Sequence, residues 1–279
     1  MSKPKYKVAI QGITTSFHEV AAQKYFGSEI EPVECWTFTE LCESLKDKTA
    51  DYAVMAIENS IAGSLLQNYG LLQDYNFNII GEVYLRIEMN LMALPGQSLE
   101  DIKVVQSHPI AIRQCSKYLH ELGPEVKLEE KEDTAASAKE IASKQLMGFA
   151  AVANAAAAEK FGLEILAKNI ETNHNNFTRF VVLSREPVFK EKNNKATLFF
   201  HLSHETGSLA KVLNLFAENR INLTKIQSVP IVGKPYKYNF HIDIMWENYD
   251  DFKAALSAVK KVALNLMILG EYEKEEFNS

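Results

Sequence analysis

Residues 176–183, NFTRFVVL, place a threonine and an arginine at the start of an apolar run. Such a run is typical of a buried strand, where an unpaired polar or charged side chain is costly. Thr178 and Arg179 lie between the aromatic residues Phe177 and Phe180, and this arrangement has two interpretations. Either the rings fix the shape of a site that the two polar side chains line, or Thr178 simply favours strand geometry and Arg179 reaches solvent or an acidic neighbour.

The composition predicts a soluble protein of two domains without a nucleic-acid partner. A length of 279 residues suits two domains, each large enough to bury its own core. The hydrophobic content of 47% and the charged content of 24% are ordinary for globular proteins. The net charge of −6 disfavours nucleic-acid binding, which requires a basic face.

The cysteines and the apolar runs indicate the compartment. Cys35, Cys42 and Cys115 are too few and too unevenly spaced for a disulfide framework, and they lack paired metal-ligand spacing. The chain begins MSKPKY, which enters a strand with no apolar signal segment, and no run is long enough to cross a bilayer. We therefore expect a cytoplasmic protein with reduced thiols, no metal site and no membrane partner.

Polar residues follow the first and third predicted strands at the points where those strands end. The first strand ends at Gln11-Gly12, and Ser16 is a candidate N-cap for the following helix, so free backbone N–H groups are expected there to suit an anion. Residues 58–60, ENS, follow the third strand. They are either a polar helix cap or part of a ligand site at the carboxyl ends of parallel strands.

The pattern repeats further along the chain, after a long apolar stretch from Asn78 to Leu94. This stretch alternates with period two from Val83 to Leu91, which suits a strand passing from one lobe into a second. Ser107 follows the strand at residues 104–106. Gln114 can join Ser107 in a ligand site if the Gln114 side chain projects toward the cleft between the two lobes. His108 is equally well explained as a turn residue or as a catalytic base. Strands and helices that alternate in this way predict an α/β fold.

The composition of the chain changes after residue 185. Residues 186–195 are charged and contain Pro187, which is typical of a linker. Residues 196–279 then give strands and helices in the order βαββαβ, a ferredoxin-like arrangement. The predicted domains are therefore residues 1–185 and 196–279.

The polar motifs occur in the order found in one enzyme family. In chain order they are residues 11–17 (QGITTSF), 57–60 (IENS) with Gly63, 107–109 (SHP) with Gln114 and Cys115, 133–135 (DTA), and 176–180 (NFTRF). Through them the first 185 residues resemble the catalytic domain of the prephenate dehydratases. The last eighty or so, through residues 221–226 (INLTKI), resemble an ACT regulatory domain.

The resemblance implies a two-lobed, periplasmic-binding-protein-like catalytic domain that converts prephenate to phenylpyruvate, CO2 and water without a cofactor. It makes Thr178 the catalytic hydroxyl, and Arg179 either an anchor for a substrate carboxylate or a structural ion-pair partner. The other residues that it implies contact the substrate or shape its pocket are Glu58, Asn59, Ser60, Ser107, Gln114, Ser16, Phe17 and Phe180.

Two departures in the catalytic part concern Thr15, where the family usually has glycine, and His18, where serine is common. In the ACT part, residues 207–210 read GSLA where the family usually has GALV, and residues 227–230 read QSVP where it usually has ESRP. The second change removes both charges of a phenylalanine-binding motif, which puts the strength of feedback in doubt.

L-Phenylalanine is nevertheless expected to inhibit the enzyme, and a homodimer or homotetramer is expected because ACT domains pair. The implied effector residues are Gly207, Ser208, Leu209, Asn222 and Leu223. Two alternatives stay open. Arogenate dehydratase uses the amino-acid form of the substrate, and a non-catalytic amino-acid sensor would keep the same domains without the reaction.

Overall fold

A computed structural model describes residues 5–231 and 233–276, which fall into two units. The first unit contains the chain up to Gly63 together with Tyr84–Phe180, and the second contains Ser64–Val83 together with the chain from Val181 onward. Residues 1–4, for which the sequence predicts no apolar signal segment, lie outside the described residues. No helix within the described residues has the length and apolar character needed to span a bilayer.

A first sheet contains residues 177–180 of the NFTRF motif. Its strands, in spatial order, are β2 (Ile30–Cys35), β1 (Tyr6–Gln11), β3 (Tyr52–Asn59), β11 (Phe177–Ser184) and β5 (Asn78–Arg86), and the short β4 (Gly63–Ser64) pairs with β3. Strand β1 is parallel to both neighbours. The predicted βαβ units are confirmed here, since the helices α1 (Phe17–Phe26) and α2 (Phe38–Lys46) connect these strands.

A second sheet lies in the first unit. Its order is β10 (Glu164–Ala167), β6 (Asn90–Ala93), β9 (Phe149–Ala153), β7 (Val104–Ser107) and β8 (Lys127–Glu130). The pairs β7–β9 and β7–β8 are parallel, whereas β6 is antiparallel to β9 and to β10, so the sheet is mixed. The accompanying helices are α4 (Pro109–Gln114), α5 (Ser116–Glu121), α6 (Thr134–Lys144) and α7 (Ala155–Phe161).

The C-terminal part of the second unit has the element order βαββαβ that the sequence predicts. Its elements are β12 (Lys195–His201), α8 (Ser208–Glu218), β13 (Asn222–Pro230), β14 (Tyr238–Met245), α9 (Tyr249–Val259) and β15 (Leu264–Tyr272). The strands form an antiparallel sheet in the order β13-β14-β12-β15, which is the ferredoxin-like order. Leu198, Phe200, Val212, Phe216 and Phe252 form much of its core.

The remaining segment of the second unit, Ser64–Val83, contains α3 (Leu66–Tyr75) and contacts the C-terminal sheet. The Lys195 ammonium donates to both carboxylate oxygens of Glu82 at 2.9 and 2.8 Å, and both side chains are almost fully buried. Gly270 lies so close to Ile79 that a Cβ added to the glycine would be 2.0 Å from the Ile79 carbonyl oxygen. Only glycine allows this approach.

Candidate active site

Asn59, Asn176 and Thr178 form a buried cluster, which we call the amide–threonine cluster. Asn59 is the last residue of β3, and its Oδ1 accepts the backbone N–H groups of Ile61 and Ala62 at 2.9 and 2.8 Å. These two donors settle the orientation of the amide, because only the oxygen can accept them. The Asn59 Nδ2 group must therefore face Asn176 Oδ1 at 2.7 Å and Thr178 Oγ1 at 2.9 Å.

This orientation determines what the Thr178 hydroxyl can do. Since Oγ1 accepts a hydrogen bond from Asn59, its own hydrogen is left for another acceptor. That hydrogen has no acceptor among the described residues, and Thr178 is 9% exposed. The site thus presents a hydroxyl donor whose oxygen is already polarised by an amide N–H.

Ser60 ties the end of β3 to the start of β11. Its hydroxyl donates to the Asn175 carbonyl at 2.9 Å and accepts the Phe177 N–H at 2.9 Å, and its backbone N–H donates to the Phe177 carbonyl at 2.8 Å. The hydroxyl hydrogen is committed to the backbone. Ser60 therefore fixes the position of the strand that carries Thr178.

Arg179 is buried, with 4% of its side chain exposed, and its guanidinium lies 4.0 Å from a carboxylate oxygen of Glu58. The Glu58 side chain is 38% exposed. Of the two roles left open by the sequence, the ion pair is the one for which the structure offers a partner. A buried guanidinium without a nearby carboxylate would be strongly destabilising.

Phe180 is buried against His18, and the two rings meet edge to face with centroids 5.0 Å apart. His18 also packs on Phe38, and its Nε2 accepts the Ala56 N–H at 3.3 Å. Burial lowers the pKa of His18 to about 3, so the ring is neutral at ordinary pH. The serine-to-histidine departure thus adds an apolar wall beside the strand that carries Thr178.

The turn after β1 differs from the expectation of free N–H groups. The backbone N–H of Thr14 donates to Glu34 at 2.6 Å, that of Thr15 donates to Glu19, and that of Ser16 donates to the Ile13 carbonyl at 2.9 Å. The prediction is wrong for residues 14–16, because the carboxylates of Glu34 and Glu19 and the Ile13 carbonyl accept these three N–H groups. Of these acceptors, Glu34 is 20 residues from Thr14, and sequence spacing alone does not reveal that contact.

Thr15 has a φ of 76°, in the left-handed region that favours glycine. This explains why the family usually has glycine here, and it means that the threonine is strained. The predicted site residues beside it have structural partners. The Ser16 hydroxyl caps α1 by accepting the Glu19 N–H at 3.4 Å, and Phe17, the first residue of α1, packs against the core of the second sheet.

The predicted site residues at the end of β7 and in α4 do not join the amide–threonine cluster through any hydrogen bond among the described residues. Ser107 is fully buried, and its hydroxyl donates to the Val152 carbonyl at 2.6 Å. Gln114 is half-buried at the end of α4, and its side chain has no hydrogen bond to any described residue. His108 caps α4 through its Nδ1, which accepts the Ile110 N–H at 3.2 Å, and burial lowers its pKa.

Three further polar residues lie near the predicted ones. Asn176 is the first residue of the NFTRF motif, and its Nδ2 is buried without a partner among the described residues. Asn154 follows β9, and its Nδ2 donates to the Thr15 carbonyl at 2.6 Å. Asp133 caps α6, burial raises its pKa, and a Cβ added to Gly12 would be 2.6 Å from its Oδ2. These contacts bring the carboxyl ends of β1 and β9 together.

The effector residues implied by the sequence lie at the start of α8 and at the start of β13. Gly207 precedes α8 with a φ of 81°, a conformation suited to glycine, and Ser208 and Leu209 begin the helix. Asn222 and Leu223 begin β13, the edge strand. No group of three or more His, Cys, Asp or Glu side chains converges as metal ligands would, within the part of the chain that the structure describes.

Comparison with known proteins extends over nearly the whole chain. A family model described as prephenate dehydratase matches residues 8–188. Arogenate dehydratase/prephenate dehydratase 2 of Arabidopsis thaliana is 38% identical over 280 residues, which is 96% of this chain and 73% of that protein.

Two solved structures match as well. The prephenate dehydratase of Arthrobacter aurescens in complex with L-Phe has a TM-score of 0.85 at 27% identity, covering 96% of this chain and 89% of that one. A structure described as GqqA, a novel type of quorum quenching acylase, has a TM-score of 0.87 at 30% identity, covering 97% and 99%. The family match and the similarity to the Arabidopsis thaliana relative lead to one conclusion: this chain belongs to the prephenate dehydratase family and is a dehydratase, a carbon–oxygen lyase.

Proposed function

We propose that this dehydratase converts prephenate to phenylpyruvate, with Thr178 as the hydroxyl that assists departure of the ring hydroxyl group. The bond between the ring and its carboxylate breaks to release CO2, and its electron pair completes the aromatic ring. The ring C–OH bond breaks with its electron pair, and the departing hydroxide takes one proton to become water. Substrate and products balance with that single proton, without an oxidant or reductant.

The observation that carries the proposal is the forced orientation of Asn59. Because Asn59 Oδ1 accepts two backbone N–H groups, Nδ2 must donate to Thr178 Oγ1. The Thr178 hydrogen is therefore available to the leaving oxygen, and the Asn59 N–H stabilises negative charge that develops on Oγ1 as the proton is transferred. Solvent then returns a proton to Oγ1, which is the single proton that the reaction consumes. A donor held in place before the reaction needs no reorganisation in the transition state.

The surrounding residues support this donor in distinct ways. We assign Ser60 and the Glu58–Arg179 pair to holding β3 and β11 in register, from their contacts at 2.9 and 4.0 Å. Phe180 and its ring partner His18 exclude water, which strengthens a hydrogen bond to the leaving group. Gln114, whose side chain is free of described partners, is assigned to the substrate.

A product assay tests the proposal directly. The full chain is incubated separately with prephenate and with arogenate, and phenylpyruvate is followed by its absorbance in alkali while phenylalanine is measured chromatographically. Phenylpyruvate from prephenate supports the proposal. Phenylalanine from arogenate alone would assign the amino-acid substrate instead, and no product from either would support a non-catalytic sensor.

The same proposal divides the chain by function into a catalytic domain at residues 1–185, a linker at 186–195 and an ACT domain at 196–279. Its support is the ferredoxin-like order of the C-terminal sheet and the left-handed Gly207 before α8. L-Phenylalanine is the proposed effector, bound near Gly207, Ser208, Leu209, Asn222 and Leu223, and the relative from Arthrobacter aurescens was solved with L-Phe.

The proposed oligomer is a homodimer, or a dimer of dimers, that uses the exposed edge of β13. The strand alternates exposed and half-buried residues, and Ile226 is 46% exposed on this edge. Titration of the full chain with L-phenylalanine, followed by activity and by melting temperature, tests the effector. No change in either quantity at saturation would exclude it, and sedimentation velocity measures the oligomer.

A cytoplasmic location completes the proposal. It rests on the three cysteines, all within the described part of the chain, which are buried free thiols. Burial raises the pKa of both Cys42 and Cys115 to about 12, so both remain protonated and unreactive at neutral pH.

A further inference from the structure

The second unit contains a cavity of about 580 Å³ at one end of the C-terminal sheet. It lies where β12 ends and where β14 and β15 begin, at His201, Tyr238 and Leu264. None of the five implied effector residues lines it. The volume is within the range of small-molecule sites.

The floor of the cavity is apolar. Phe199 is 3% exposed, and Met267, its cross-strand neighbour, is half-buried. Phe199 follows Leu198 and precedes Phe200, two residues that face the core of the C-terminal sheet. Because side chains alternate along a strand, Phe199 points to the opposite face. Phe199 and its cross-strand neighbour Met267 therefore line the cavity from the face opposite to the core that the two helices cover.

The rim of the cavity is cationic. Lys234 and Lys237, from the connection between β13 and β14, line it together with His201 and His204. No aspartate or glutamate lines it in the described part of the chain. The two ammonium groups form no ion pair within residues 5–231 and 233–276. Two unneutralised cations above an apolar floor favour an anion with a hydrophobic body.

A second cavity in the same unit differs in charge. It has a volume of about 260 Å³ and is lined by Glu271, Asn193, Phe189 and Tyr249 among others, with no lysine or arginine. It offers aromatic surface without a cation. The combination of an apolar floor and paired ammonium groups thus belongs to the larger cavity.

We infer that the larger cavity binds a small organic anion that joins an apolar ring to a carboxylate. The ring rests on Phe199 and Met267, and the carboxylate lies between Lys234 and Lys237. An α-ammonium group on the ligand is unfavourable, because the lining offers no carboxylate to accept it and the lysines repel it. The cavity therefore prefers an aryl carboxylate to an aromatic amino acid.

The cavity also contacts the segment that carries α3. Gln73, in α3, lines it, and its Oε1 accepts a hydrogen bond from Asn239 Nδ2 at 3.2 Å. Asn239 is cross-strand from His201, so a bound anion touches both partners of this link. Binding is expected to raise the melting temperature, because it adds contacts within the folded second unit.

Binding of 3-phenylpropionate to the full chain tests the inference, with affinity measured by calorimetry. This probe is L-phenylalanine without its ammonium group, so it separates the two proposed ligand classes. The double variant Lys234→Gln/Lys237→Gln should bind it about tenfold more weakly. The matched control Lys260→Gln/Lys261→Gln removes the same charge from the two residues that follow α9, which do not line the cavity, and should bind as the parent does.

Three results would overturn the inference. The first is an absence of binding up to about 10 mM 3-phenylpropionate, a concentration beyond that needed for a weak specific site. The second is equal affinity of the parent and the Lys234/Lys237 double variant for the probe, which would place the probe elsewhere, for example at the amide–threonine cluster. The third is loss of binding when L-phenylalanine saturates the protein, which would show that both ligands share one site.

Discussion

The hydroxyls of Thr178 and Ser107 both lie near a strand terminus, but they take opposite roles in their hydrogen bonds. The Thr178 oxygen accepts an amide N–H, which leaves its hydrogen for a ligand. The Ser107 hydroxyl donates its hydrogen to the Val152 carbonyl of the adjacent strand. Both side chains are buried near a strand terminus, so the difference between them is the direction of a single hydrogen bond.

The largest expected effect is on Thr178. The variant Thr178→Ala should lose about 10³-fold in kcat, because the donor to the leaving group disappears while the fold keeps its contacts. Steady-state assays with prephenate measure the loss. The control Thr178→Ser keeps the hydroxyl and should stay within about tenfold of the parent. Full activity in the alanine variant would contradict the proposed role.

A second variant reverses the hydrogen bond without deleting a side chain. In Asn59→Asp one oxygen still accepts the Ile61 and Ala62 N–H groups, but the other can no longer donate to Thr178. The Thr178 hydrogen should then turn toward the aspartate, with a loss of about 10²-fold in kcat. The Asn176 amide, which has a spare N–H, can rotate to donate to the new carboxylate.

The melting temperature separates the explanations for that variant. A melting temperature close to that of the parent together with lost activity would support the direction of the hydrogen bond as the cause. Unchanged activity in a folded protein would break the distinction between Thr178 and Ser107.

His18 packs against Phe180, two residues from Thr178 in the same strand, and its burial makes stability depend on pH. Its folded pKa, about 3, is below the ordinary value of 6.5, so its stabilising effect is present above pH 6.5 and is lost as pH falls toward 3. The loss is about 1.4 kcal/mol per pH unit, or about 2 kcal/mol between pH 6.5 and 5.

Urea unfolding from pH 7 to 5 measures this slope. The variant His18→Gln, which can still accept the Ala56 N–H, should show a flatter dependence. Part of the slope should remain, because burial also lowers the pKa of His241 to about 4. An identical slope in parent and variant would contradict a buried neutral His18.

The prediction for Ser107 is the counterpart of that for Thr178. Removing the hydroxyl in Ser107→Ala leaves the Val152 carbonyl without this donor, at a cost of about 1–2 kcal/mol in the free energy of unfolding. Because the hydroxyl is committed to the backbone, kcat should change by no more than about twofold. A loss of activity as large as that of Thr178→Ala would remove the contrast.

The smallest effect is expected at Thr15. The variant Thr15→Gly should stabilise the protein by about 1 kcal/mol, because glycine accepts a φ of 76° without the strain of a β-branched side chain. Thermal unfolding measures the gain. Gly162 has a φ of 66° in a helix cap, and the matched variant Gly162→Thr should be destabilised by a similar amount.

The sequence allowed prediction of the alternating strands and helices and of the C-terminal βαββαβ order, because both depend on local periodicity. It also indicated which strand ends carry polar residues. It could not show that Asn59 faces Thr178, since 119 residues separate them and the contact depends on β3 and β11 being brought together. Nor could it show that Glu34 occupies the Thr14 N–H, which depends on a side chain from the neighbouring strand.

The buried Lys195–Glu82 pair has a consequence for the order of events on the ribosome. The two residues are 113 positions apart, so at typical rates of synthesis Glu82 waits roughly 6 to 20 seconds for its partner to be made. A carboxylate cannot be buried alone during that interval. Glu82, in the middle of β5, must therefore stay hydrated or protonated in the nascent chain until the first strand of the C-terminal sheet has been synthesised.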